Sequence, residues 1–237
     1  MDFIDLKTQQ KRIREGLKVR FDRILDHGAY IMGPEVTELE EKLSDYVGVK
    51  HTISCSSGTD ALLIPLMAWN IGPGDAVFTT PFTYVATAEV ISLLGATPVF
   101  VDVYESTFNI DCEKLELAIQ NTISEGKLTP KAIIPVDLFG LPARYRLIEE
   151  IAKKYDLKVI EDAAQSFGAS VGDRKVGTFG DVAATSFYPA KPLGCYGDGG
   201  AIFTNDDHLA SKCKAIRIHG TTTVSYTHLT LPTNREV

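Results

Sequence analysis

The chain has 237 residues, of which 44% are hydrophobic and 23% charged, an ordinary globular composition with enough length for one large domain or two small ones. Its 24 basic and 31 acidic side chains leave a net charge of −7. That balance argues against general nucleic-acid binding, which shows a basic excess or patch, but leaves room for a small anion held by a few local donors.

Residues 8–26 read as a helix, with Ile13, Leu17, Phe21 and Ile24 at helical spacing. "GPEVTELEEKLSDYVGV" reads as a second helix, with Leu39, Leu43 and Val47 on one stripe and Gly48 as its stop. "HTISCSSGTDALLIPLMAW" reads as a short strand, a turn at Ser56–Gly58 and an apolar helix. A strand "DAVFTTP", a helix "TYVATAEVISLLG" and a strand "TPVFVDV" follow. Residues 111–123 are again helical, through Leu115, Ala118, Ile119 and Ile123. "KAIIPVDLFG" reads as a strand, "RYRLIEEIAKKY" as an amphipathic helix and "LKVIED" as a strand. "DVAATSFY" and "GAIFTN" read as two more strands, and "DDHLASKCKAIRIHG" as a helix capped by Asp206.

Strands alternate with helices, and several strands are nearly continuous apolar runs. The fold class is therefore α/β, a mostly parallel sheet flanked by helices on both faces. The last two strands lie too close for a helical crossover, so an antiparallel pair is expected there. Ligands of such sheets bind outside the carboxyl ends of the strands.

Four cysteines, Cys55, Cys112, Cys195 and Cys213, form no C-x-x-C pair, and the five histidines show no H-x-x-x-H spacing. No structural metal site is expected, and reduced cysteines in a cytoplasmic protein are the plain reading. The charged start "MDFIDLKTQQKRIREGL" has no apolar h-region, and no apolar run reaches bilayer length, so neither signal peptide nor membrane span is expected.

The strand ends hold the chemistry. Glu161 and Asp162 close "VIEDAAQS", with Gln165 three residues on. The pair reads either as a solvated turn or as a carboxylate for a buried cationic ring nitrogen. In "SCSSGTDAL" a strand runs through Gly58 into a helix near Thr59. Its free N–H groups suit a phosphate, although an N-cap by Ser57 or Thr59 explains the same residues. Neither a P-loop nor G-x-G-x-x-G is present. Phe82 and Tyr84 follow another strand: core packing suits Phe82, while Tyr84 has a ring able to lie on a flat heteroaromatic.

Lys191, in "SFYPAKPLGCYGDGGAIFT", stands between Pro189 and Pro192. A free lysine, with a pKa near ~10.4, is a poor nucleophile at neutral pH. A positioned and partly desolvated one forms Schiff bases. Lysine, ring-nitrogen acid, phosphate-binding helix start and stacking ring are together what pyridoxal 5'-phosphate (PLP) requires.

From "YIMGPEVTELEEKL", "SSGTDAL", "TTPFTYVATAEVI", "PVFVDV", "VIEDAAQSFGA", "GDVAATSFYPAKPLG", "GDGGAIFT" and "RIHG", the chain resembles the DegT/StrS family of PLP-dependent sugar aminotransferases over residues 1 to about 220. The resemblance implies the large domain of the aspartate-aminotransferase type (fold type I). Lys191 would hold the cofactor as a Schiff base and later shuttle the proton, and Asp162 would pair with the pyridine nitrogen. Gln165 would bond near the phenolic oxygen, Tyr84 would stack on the ring, and Gly58, Thr59 and Ser186 would hold the phosphate. Lysine rather than histidine at position 191 favours transamination over the dehydration run by related enzymes.

The implied reaction is ping-pong amino transfer from glutamate to a nucleotide-linked keto sugar, in a cytoplasmic homodimer with shared active sites, for surface polysaccharide such as O-antigen. The lysine stretch most resembles enzymes that aminate C3 of a UDP-linked 3-keto-hexuronic acid. Amination at C4 of a UDP- or dTDP-4-keto-6-deoxy sugar, a non-catalytic PLP-binding or regulatory member, and an inactive fragment are the alternatives. Residues 1–220 are expected to form the PLP-binding large domain with an N-terminal helical segment. Residues 221–237, "TTTVSYTHLTLPTNREV", match nothing in the family and are expected to be a disordered end or an assembly scar, with the small C-terminal domain largely missing.

Overall fold

The structure, a computed structural model, describes residues 4–221. The expected tail therefore lies outside the described residues except for Thr221. The strands are β1 (His51–Cys55), β2 (Asp75–Thr79), β3 (Thr97–Phe100), β4 (Thr129–Ile134), β5 (Lys158–Asp162), β6 (Ser170–Val171), β7 (Arg174–Lys175), β8 (Val182–Ser186) and β9 (Gly200–Thr204). The helices are α1 (Leu6–His27), α2 (Pro34–Val47), α3 (Gly58–Ala68), α4 (Ala86–Leu93), α5 (Cys112–Glu125), α6 (Tyr145–Tyr155) and α7 (Asp207–Arg217).

Seven strands form one sheet in the order β1-β9-β8-β5-β4-β2-β3. The pairs β2–β3, β2–β4, β4–β5 and β5–β8 are parallel. β9 runs antiparallel to β8 and to β1, as the short connection between the last two strands requires. β9 alone is thus reversed, and the carboxyl ends of the other strands open on one edge.

Alternation along each strand explains the unbroken apolar runs. Val77, Ile134, Ile160, Ala184 and Ile202 pack with Leu62 and Leu66 of α3 and Leu209 of α7 on one face. Phe78, Ile133 and Val159 pack with Leu115 and Ile119 of α5 and Ile148 of α6 on the other. Leu43 and Val47 of α2 close that face over Ala201 and Phe203. No helix among the described residues is long and apolar enough to cross a membrane.

Four elements depart from the sequence reading. α1 forms, but its stripe is not a core face: no residue of it is buried, and Ile13 and Phe21 are exposed. It meets α2 through ion pairs, Arg20–Glu38 at 3.2 Å and His27–Glu35 at 3.2 Å. The strand read through "KAIIPVDLFG" stops at Ile134, because Pro135 offers no ladder N–H. Val136 returns as a single bridge to Asp162, and Leu138–Gly140 is a 3-10 turn with Phe139 left-handed at φ 56°. α4 starts at Ala86, which leaves Thr83 and Tyr84 in the turn before it. The two-residue β6–β7 ribbon is too short to leave a pattern.

Candidate active site

Four strand ends meet at one cavity of about 470 Å³, a volume typical of small-molecule sites. It is lined by all seven residues singled out from the sequence: Gly58 and Thr59 after β1, Tyr84 after β2, Asp162 and Gln165 at the end of β5, and Ser186 and Lys191 after β8.

The helix start comes first. Ser57 is the N-cap of α3, its hydroxyl accepting from Asp60 N at 3.1 Å, which settles the choice between Ser57 and Thr59. The first-turn N–H groups of Gly58 and Thr59 have no helical acceptor and stand at the positive end of the helix. A Cβ on Gly58 would lie 2.6 Å from Ser186 Cβ, so only glycine lets α3 begin against the end of β8. That approach brings the Ser186 hydroxyl to the same helix start.

The acidic doublet divides between the two faces of the sheet. Both residues are buried, Glu161 at 0% and Asp162 at 5% exposure, which rules out the solvated turn. Asp162 Oδ2 accepts from Thr87 Oγ1 at 2.9 Å and Oδ1 from Ala164 N at 3.2 Å. Burial raises its pKa, while Thr87, Ala164 and Lys191 pull it back down. Glu161 faces away, accepting from Gly177 N and Phe179 N at 3.0 Å. On the same side lies Asp137, a second buried carboxylate, which accepts from Ala143 N at 2.9 Å, Tyr145 Oη at 2.7 Å and Ser166 Oγ at 2.8 Å.

Burial disfavours the charged form of both carboxyls, and the Asp137 charge adds to this at Glu161. Burial pushes Asp137 up to about 6 and Glu161 well above the usual carboxyl range. A folded-state pKa raised from 3.8 to about 6 contributes stability that is full below about pH 3.8 and is lost as pH rises through about 6, on the order of 3 kcal/mol. Glu161→Gln copies the uncharged form at nearly constant shape. We expect this variant to stay folded at pH 7 and to lose the Glu161 share of the pH dependence, keeping the Asp137 share, in urea-unfolding series between pH 4 and pH 7. Parallel wild-type and variant curves would show that Glu161 does not change protonation on folding in that range.

Gln165 Oε1 accepts from Phe139 N at 2.8 Å, which leaves its amide nitrogen as the donor end. Tyr84 is 69% exposed on the cavity wall, its ring face free. Lys191 is half-buried and, among the described residues, is the single cation lining the cavity. Its loop is tied by Lys191 N to Tyr188 O at 2.8 Å, Cys195 N to Phe187 O at 2.7 Å and Phe187 N to Gly199 O at 2.7 Å.

These groups fit a phosphorylated pyridine. A buried carboxylate on a dry wall demands a cationic partner, and a ring N–H⁺ supplies one. The helix start suits the phosphate, the Gln165 amide a phenolic oxygen, and the amine an aldehyde. Thr83, Thr87 and Asp198 also line the cavity. Nothing in the sequence marks Thr87 apart from any helical threonine, and Asp198 reads equally well as a turn residue. Phe82 is no core residue: it is 47% exposed and meets Phe108 edge-on with ring centroids 5.4 Å apart.

The model of the DegT/DnrJ/EryC1/StrS aminotransferase family matches residues 11–235. The UDP-2-acetamido-2-deoxy-3-oxo-D-glucuronate aminotransferase of Pseudomonas aeruginosa is 56% identical over 222 residues, 93% of this chain and 59% of that protein. A crystal structure of a DegT DnrJ EryC1 StrS aminotransferase from Brucella abortus superposes with a TM-score of 0.95 at 55% identity, covering 97% of this chain and 61% of that one. NtdA from Bacillus subtilis, solved with bound cofactor PMP, gives a TM-score of 0.87 at 33% identity over 97% of this chain and 51% of its own. The chain thus spans less than two thirds of the length of the proteins it matches.

Proposed function

The chain belongs to the DegT/DnrJ/EryC1/StrS aminotransferase family, whose members are PLP-dependent, and from this we propose that it moves an amino group from glutamate to a nucleotide-linked keto sugar, at C3 of a UDP-3-keto-hexuronic acid. The observation that carries the reading is the meeting of Lys191, Asp162, Gln165 and Tyr84 with the α3 N-terminus at one cavity. The substrate follows the Pseudomonas relative, whose name specifies a 3-oxo-glucuronate. Residues 1–220 act as the cofactor-binding large domain. The protein works in the cytoplasm, in surface polysaccharide biosynthesis, as a homodimer with shared active sites.

Bound PLP supplies an electron sink that stabilises negative charge on the carbon bearing the amine. The chain's own residues do the rest. The N–H groups of Gly58 and Thr59 and the Ser186 hydroxyl hold the phosphate. Asp162 keeps the ring nitrogen protonated, and the Gln165 amide orients the phenolic oxygen. Tyr84 covers the ring and excludes water. Lys191 Nζ would be the cofactor's covalent tether. As a free amine it would take the proton from the α-carbon of glutamate, and in the return half-reaction it would deliver one to C3 of the sugar. Glutamate leaves as 2-oxoglutarate and the ketone becomes an amine, so atoms balance.

A panel of nucleotide keto sugars, with PLP and glutamate, tests this. The 3-keto-hexuronic acid is expected to react fastest. Preference for a 4-keto-6-deoxy sugar would move the substrate assignment, and bound cofactor without transfer to any sugar would reduce the chain to a binding protein.

A further inference from the structure

Thr87, in the first turn of α4, is 1% exposed and lines the cavity. Its hydroxyl lies 2.9 Å from Asp162 Oδ2 and 2.9 Å from Thr83 Oγ1. An ionised carboxylate only accepts, so the single Thr87 proton goes to Asp162. The Thr87 oxygen must then accept from Thr83, whose own proton is used up. The polarity of the chain is set from one end to the other: Thr83 donates to Thr87, and Thr87 donates to Asp162. Thr83 turns only lone pairs toward the cavity.

We propose that Thr87 is a positioning residue, whose hydroxyl, oriented by Thr83, aims the Asp162 carboxylate and keeps it ionised to receive a cationic ring nitrogen. The inference rests on the cofactor reading above. The physical need is plain: Asp162 is buried, and hydrogen bonds to the charged form offset the lost solvation. Its other donor, Ala164 N at 3.2 Å, is longer and leaves Oδ2 to Thr87. The other groups bearing on Asp162 are Lys191, which favours its charge, and Asp137, backed by Glu161, which opposes it; the Tyr145 phenol lies behind them.

The test compares Thr87→Val, which removes the donor at constant shape, with Thr87→Ser, which keeps it. Spectral titration of the full chain with PLP is expected to show affinity weakened roughly tenfold or more in Thr87→Val, the worth of a hydrogen bond to a charged group, and restored in Thr87→Ser. A carbocyclic analogue lacking the ring nitrogen should bind wild type and Thr87→Val alike. Equal losses for both cofactors, or no loss, overturn the proposal. A second readout uses no cofactor: the pH at which Asp162 protonates, followed by the infrared carboxyl stretch absent from Asp162→Asn. It should rise in Thr87→Val and return in Thr87→Ser, and an unmoved midpoint overturns the proposal. If wild type binds no PLP, the cofactor reading fails, and the infrared result still decides the role of Thr87.

Discussion

Lys191→Ala is expected to abolish the visible band that the chain gains with PLP and to slow amino transfer by roughly 10²–10⁴-fold, the usual worth of a positioned acid–base group. The fold should survive. The loop is held by main-chain bonds, Lys191 N to Tyr188 O and Phe187 N to Gly199 O, and none of them needs the lysine side chain. Melting temperature should therefore stay near wild type. Phosphate and ring contacts from α3 and Asp162 also remain, so equilibrium dialysis should still find cofactor bound, now without its covalent link. Loss of the Lys191 charge also removes one of the influences holding the Asp162 pKa down. A wild-type band in the variant would falsify the Schiff-base assignment.

Gly200→Ala should be the most damaging small change in the sheet. Gly200 pairs with Ser186 on one side and Cys55 on the other. A Cβ there would lie 2.3 Å from Ser57 O and 2.9 Å from Gly58 N, both main-chain atoms at the start of α3. Backbone cannot rotate away as a side chain can, so the helix start must shift. Overpacking of this kind costs about 1–3 kcal/mol, and more where nothing gives. Because Ser57 caps the helix that faces the phosphate, PLP affinity should fall along with the unfolding midpoint. Gly16→Ala, with nothing within 4 Å of the added Cβ, is the control and should be neutral or stabilising. An unchanged PLP affinity in Gly200→Ala would separate the α3 start from the phosphate site.

Most of the fold is legible along the chain because burial on both faces of a parallel sheet writes itself as apolar runs, and caps such as Asp206 mark helix starts locally. α1 shows the limit. Its periodicity specifies a helix, but an apolar stripe carries no information about what covers it, and here the described residues leave it open. Pro135 ended a strand that its apolar neighbours had extended.

The chemistry divides the same way. Lys191 between two prolines, Asp162 and Gln165 at one strand end and Gly58 at a helix start are local patterns, and residue type alone restricts what each can do. Which acid of the Glu161–Asp162 doublet faces the cavity is decided across the sheet. Successive residues of a strand point to opposite faces, and what stands on each face comes from other elements: Gly177 and Phe179 behind Glu161, Thr87 before Asp162. The bond from Thr87 to Asp162 likewise joins segments 75 residues apart in the chain, and so do the bonds that bring Ser166 to Asp137 and Phe139 to Gln165 across 29 and 26 residues. The bonds to Asp162 and Asp137 exist because folding removes water from carboxylates that, in the unfolded chain, would need no partner.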